Sequence, residues 1–271
     1  MRIGICVFVG LAAALAQPVQ AGPVSGRYVA MGSSYAAGPG ITTPADQPPT
    51  RCARSQDNYA HQVARRLGLD LVDVSCSGAT TANLLTPWRE LPAQVAAVTG
   101  DTQLVTMTIG GNDLNFVGNL GAASCRATQG TACPAVQAPT EDSYAAVERA
   151  LHEVVAAVRS RAPGARIVFV EYPAVLPSAG VCARTPMTGE EADMLRMTAA
   201  RLVAITDRVA QVEAVDVVGF SVRSAGHDAC AVDPWISGYV DASGQKAPVP
   251  YHPNLAGMTA VADELVEVLG E

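Results

Sequence analysis

The sequence predicts an α/β fold with a parallel sheet covered on both faces. Three observations predict it. Strand-like apolar runs alternate with helical patterns along the chain. Most of those runs are continuously apolar, as parallel strands buried on both faces are, rather than alternating. At 271 residues and 49% apolar content, the chain has the size and composition of one large α/β domain with a sizeable core. No internal repeat or low-complexity linker interrupts it.

Five segments are expected to be strands: Arg27–Met31, Leu69–Val74, Leu104–Ile109, Arg166–Glu171 and Ala214–Val218. Tyr144, Val147, Leu151, Val154 and Val158 recur at three and four residues and mark one face of a helix. Thr188 and Glu191 have capping-box spacing ahead of Leu195, Leu202 and Ile205. Leu255, Met258, Val261 and Leu265 mark a last helix. Two stretches, Gly38–Ser55 and Ser221–Pro250, fit no regular element; each holds a cysteine with Pro and Gly, as long site-building loops often do.

The first 21 residues have the form of a secretory signal. Arg2 is the charged region, Ile3–Ala16 the apolar region, and Val19-Gln20-Ala21 offers small residues for cleavage after Ala21. The apolar run is short of the ~20 residues of a membrane span, and no second one follows, so stable membrane insertion is not expected. The mature domain is then 22–271. Without Cys6, six of the seven cysteines remain. In an exported chain an even number suggests disulfides, and the absence of CxxC pairs argues against zinc. Six cysteines admit 15 pairings; neighbours in order are favoured, Cys52–Cys76, Cys125–Cys133 and Cys182–Cys230. The net charge of −7 argues against nucleic acid and against a basic membrane-binding surface.

Four segments at predicted strand ends or helix starts carry chemistry, and that edge of an open α/β sheet is where ligands bind. Gly32-Ser33-Ser34-Tyr35-Ala36-Ala37-Gly38 follows the first strand and can aim a serine hydroxyl into a cleft beside free helix N–H groups. Ser75-Cys76-Ser77-Gly78-Ala79 follows the second; Gly78 permits close backbone approach, although a plain turn would look the same. Gly110-Gly111-Asn112-Asp113 follows the third, with an amide at Asn112 suited to a developing oxyanion. Asp113 reads best as an acceptor for N–H groups at a helix start. His252-Pro253-Asn254 opens the last helix. Of the four histidines, His61 and His152 fall in helical patterns and His227 in a cysteine-bearing loop, leaving His252 as the candidate base.

In order and spread these segments resemble the GDSL/SGNH hydrolase family, and most closely its secreted, disulfide-containing bacterial esterases and lipases. The resemblance covers nearly the whole mature chain. It implies a three-layer α/β/α, flavodoxin-like fold with a mainly parallel five-stranded sheet and no metal or cofactor. It also implies Ser34 as nucleophile, His252 as general base, and an oxyanion hole from Ser34, Gly78 and Asn112. The expected activity is hydrolysis of a small-molecule or lipid ester by a secreted monomer. A polysaccharide deacetylase, a phospholipase, or a binding protein that has lost catalysis would share these segments.

Two positions depart from the family pattern. Ser33 stands where an aspartate usually precedes the nucleophile, making it a minor rival to Ser34. Val249 stands three residues before His252, where many members carry an orienting aspartate. The Val249 main-chain carbonyl is the expected substitute; Asp233 and Asp241 are the side-chain alternatives.

Overall fold

The computed structural model describes residues 1, 25–241 and 243–270. Apart from Met1, the expected leader lies outside the described residues. Five strands, β1 (Arg27–Gly32), β2 (Asp70–Asp73), β3 (Thr102–Thr108), β4 (Arg166–Val170) and β5 (Asp216–Val218), form one sheet in the order β2-β1-β3-β4-β5. Every neighbouring pair is parallel. Each expected strand exists, with its ends moved by no more than two residues. Ala214, expected inside β5, instead terminates the preceding helix in a left-handed conformation.

The helices are α1 (Ser34–Ala37), α2 (Tyr59–Leu67), α3 (Thr81–Leu85), α4 (Phe116–Gln129), α5 (Glu141–Arg161), α6 (Gly189–Glu213), α7 (Phe220–Arg223) and α8 (Leu255–Gly270). Strand alternation divides the core in two. Val29, Met31, Val105, Met107, Ile167 and Phe169 face a layer containing α5 and α6. Tyr28, Ala30, Leu104, Val168, Val170 and Val218 face α2 and α8. The result is three layers, helix, sheet and helix.

Local chemistry explains the principal helices. In α5 the five residues of the predicted stripe are all buried, and Thr140 caps the start by accepting the Ser143 N–H. In α6 the Thr188–Glu191 capping box is formed in both directions. In α8, Met258, Val261, Leu265 and Leu269 are buried against α2 and the sheet; each contributes about 1.5–3 kcal/mol of apolar burial.

Disulfides join Cys52 to Cys76, Cys125 to Cys133 and Cys182 to Cys230. The first ties the irregular 38–58 loop to the end of β2; the third ties the loop after β4 to the loop after α7. Both tied regions sit at the carboxyl edge of the sheet, where β1, β2 and β3 end.

Candidate active site

Ser34 is the first residue of α1, delivered by a sharp turn out of β1. Gly32 makes the turn with φ of +127°, and a Cβ there would lie 2.5 Å from the Thr108 carbonyl oxygen, so glycine is required. The Ser34 N–H, first in its helix, lies outside the helical hydrogen-bond ladder and is available to a ligand. Its side chain is buried, and its Oγ is 2.8 Å from His252 Nε2.

His252 is held from several sides. The Pro250 carbonyl accepts from its Nδ1 at 2.8 Å. The flanking backbone forms a clasp with the loop before it: Tyr251 N–H donates to Ser237 O, Ser237 N–H to His252 O, and Asn254 N–H to Trp235 O, each at 2.9 Å. Trp235 is itself fixed by stacking between His227 and Phe220. The Tyr35 hydroxyl donates to the Tyr251 carbonyl, and its ring lies 5.1 Å from the imidazole.

The expected Val249 carbonyl is not the orienting group. Tyr251 adopts φ of +62°, a left-handed turn that brings the carbonyl two residues before the histidine, rather than three, to the ring. Val249 instead packs beside Gly40. Nor does either aspartate reach the ring. Asp233 is exposed and lies beside His227 rather than His252, while Asp241 is spent in its own turn, accepting from Ser243 and Gln245. Burial therefore dominates the His252 environment and lowers its pKa below the ordinary histidine value, with the Pro250 carbonyl pulling the other way. With the Nδ1 proton directed to a carbonyl, the neutral ring leaves Nε2 to accept from Ser34.

Gly78 lies exposed in the turn after β2 with φ of +86°, against the ring of Trp88. Asn112 follows β3. One proton of its Nδ2 goes to the Ala79 carbonyl at 2.8 Å, which ties it to the Gly78 turn and leaves the other proton free. Asp113 accepts from both the N–H and the hydroxyl of Thr81, anchoring the start of α3. That is the helix-start role expected for it, and burial raises its pKa. His61 faces Asp73, and His152 pairs with Glu213, both away from Ser34. Among the described residues no group of three or more His, Cys, Asp or Glu side chains could hold a metal ion.

Ser33, the rival serine, points away from His252. Its Oγ meets the Tyr172 hydroxyl at 3.0 Å, and that hydroxyl accepts the Gly111 N–H at 3.1 Å. Tyr172 thus pins the ends of β1, β3 and β4 together, a role the sequence reading missed. Its signal was its place directly after a predicted strand, at the ligand-binding edge.

The fold and the Ser–His pair define a class, the three-layer α/β serine hydrolases. Comparison with known proteins gives the family. Residues 30–260 match the model of the GDSL-like Lipase/Acylhydrolase family. Lipase 2 of Streptomyces coelicolor is 34% identical, over 96% of this chain and 90% of the relative. The solved extracellular lipase of Streptomyces rimosus superposes with a TM-score of 0.74 at 27% identity, covering 89% of this chain and 98% of that one. Phospholipase A1 of Streptomyces albidoflavus gives 0.72 at 25% identity, covering 90% and 99%. The chain belongs to the GDSL-like lipase/acylhydrolase family.

Proposed function

We propose that the protein hydrolyses carboxylic esters through an acyl-enzyme on Ser34. The 2.8 Å Ser34–His252 hydrogen bond carries this reading. His252 Nε2 takes the Ser34 proton as Oγ adds to the ester carbonyl. The Ser34 and Gly78 N–H groups and the free Asn112 amide proton receive the oxyanion. Collapse expels the alcohol, which leaves with the proton from His252. Water then gives a proton to Nε2 as its oxygen adds to the acyl carbonyl; the C–Oγ bond breaks, the acid leaves, and the Nε2 proton returns to Ser34 Oγ.

The acyl portion is proposed to be apolar and to pack in a cavity of about 360 Å³ beside the carboxyl edge, lined by Phe116, Tyr172, Val175, Leu176 and Ala199. Its inner wall, Tyr172, contacts Ser33 and Gly111, the neighbours of Ser34 and Asn112. The names of the relatives, lipases and a phospholipase, support an apolar acyl group over a polysaccharide acetate. The protein is proposed to be exported after loss of residues 1–21 and to act as a monomer. Three disulfides support export, and no described helix is long and apolar enough to cross a membrane.

The test is nitrophenyl ester hydrolysis with a fluorophosphonate probe. Ser34→Ala should lose turnover by several orders of magnitude and all labelling; Ser33→Ala should keep most of both. The reverse pattern would refute the assignment. A chain-length series from acetate upward reads the acyl preference.

A further inference from the structure

We propose that Gln94 is a positioning residue for the nucleophile, acting through the backbone of Gly32; the inference rests on Ser34 being that nucleophile. In a strand, the N–H and C=O of one residue point to the same side. At Gly32 both point toward β2, but the β1–β2 register ends with Ala30 opposite Asp73. Beyond it β2 turns away, and only the Cys76 N–H returns, to the Gly32 carbonyl at 3.0 Å. The vacated place is taken by a side chain 62 residues distant. Gln94 Oε1 accepts the Gly32 N–H at 2.7 Å, and Gln94 Nε2 donates to the Gly32 carbonyl at 3.0 Å. The carboxamide supplies the acceptor that β2 no longer offers and adds a second donor beside the Cys76 N–H.

The location gives this pairing its consequence. Gly32 is buried and held in a left-handed conformation with φ of +127°. Glycine tolerates many backbone conformations, so the surrounding hydrogen bonds decide which one it holds. On the β3 side the turn is held by Ser33 N–H donating to Thr108 O at 2.9 Å. On the other side Gln94 is the only acceptor for the Gly32 N–H among the described residues. Remove it, and a buried donor two residues before Ser34 is left unpaired, so the turn relaxes toward another partner. Ser34 Oγ must meet both His252 Nε2 and the substrate carbonyl, and a displacement of about 1 Å can cost on the order of a hundredfold in rate.

Gln94 starts a short 3₁₀ turn, Gln94–Ala97, at the wall of a second cavity, of about 330 Å³. The charged groups facing that cavity are Arg54 and Asp73. Arg54 is already engaged by Asp46 and the Ser75 carbonyl. This makes Gln94→Glu informative. A protonated carboxyl reproduces both hydrogen bonds of the amide. An ionised one still accepts from Gly32 N–H but repels the Gly32 carbonyl. Burial and Asp73 both favour the protonated form, so the substitute is a near match in mild acid and a poor one in base.

The experiment measures kcat, KM and the fluorophosphonate labelling rate for wild type, Gln94→Met and Gln94→Glu between pH 5 and 8, with a melting curve for each. Gln94→Met should lower kcat and labelling at least tenfold while KM stays within twofold. Gln94→Glu should approach wild type at pH 5, with its ratio to wild type falling as pH rises. A folded Gln94→Met protein within threefold of wild-type kcat, or one impaired only in KM, overturns the inference. If Gln94→Met does not fold, Gln94→Glu decides: a ratio to wild type that stays flat across the range overturns it. A wild-type protein whose turnover survives Ser34→Ala overturns the nucleophile assignment and this inference together. Ser34-dependent turnover with an indifferent Gln94 overturns this inference alone.

Discussion

If the Pro250 carbonyl is all that orients His252, no carboxylate is essential as a third catalytic group. Asp233→Asn and Asp241→Asn are the perturbations that decide this, because they are the loop acids nearest in sequence to the histidine. Asp233 has 81% of its side chain exposed and sits 3.9 Å from His227 Nδ1, so its charge acts through water and on another ring. Exposed charges contribute at most about 1 kcal/mol to a partner. Asp241 closes its own turn through Ser243 and Gln245. Each substitution should therefore cost less than about tenfold in kcat, or ~1.4 kcal/mol of barrier. Loss of a true triad aspartate costs on the order of 10⁴ in the worked serine-protease case. The assay is steady-state hydrolysis of a nitrophenyl ester, with melting curves to verify folding. A thousandfold loss in either folded variant would refute the carbonyl-oriented pair and restore a side-chain triad. His252→Ala should be severe under both accounts.

Three further outcomes are expected. Because burial lowers the His252 pKa and only the neutral ring accepts the serine proton, the acid limb of kcat/KM should lie below the ordinary histidine value of 6.5; a limb above it would contradict the assignment. Glu171 is buried beside Asp207, and burial foremost pushes its carboxyl from 4.5 up to about 7. The folded state thus holds this proton more tightly than the unfolded chain. Its contribution, up to about 3 kcal/mol, is complete below about pH 4.5 and lost as pH rises through 7. Glu171→Gln should remove that part of the pH dependence of urea denaturation, and an unchanged slope would count against it. Removing the Cys182–Cys230 bridge, which spans 48 residues, should destabilise by about 4 kcal/mol through chain entropy; removing Cys125–Cys133, which spans 8, should cost nearer 2.5. The opposite order in denaturation midpoints would show that loop entropy is not the controlling term.

The layers were legible because they depend on periodicity. Continuous apolar runs located β1 to β5, and the stripe from Tyr144 to Val158 located α5 and its buried face. The segments of the candidate site stood out because they follow strand ends or open a helix, but the resemblance to the GDSL/SGNH family selected Ser34, Gly78, Asn112 and His252 within them. Asp113 was read correctly as a helix-start acceptor from local chemistry alone. What was not legible depends on single dihedral angles or distant pairing. The acceptor for His252 moved from Val249 to Pro250 because Tyr251, a residue with no preference for it, takes a left-handed φ. Gln94 belongs to no motif, and its partner is 62 residues away. Tyr172 shows the same limit: its hydroxyl matters through Ser33 and Gly111, which only the folded sheet brings to it.

The proposed reacting pair is separated by 218 residues of sequence, the serine just after the first strand and the histidine at the threshold of the last helix. A growing chain therefore displays its nucleophile early and acquires its base last. Until α8 packs against α2 and the 251–254 segment closes its clasp with 235–237, Ser34 has no proton acceptor. A chain lacking residues 251–270 should therefore be inactive in ester hydrolysis. On the proposed mechanism, the order of the chain itself delays ester hydrolysis until the last helix is in place.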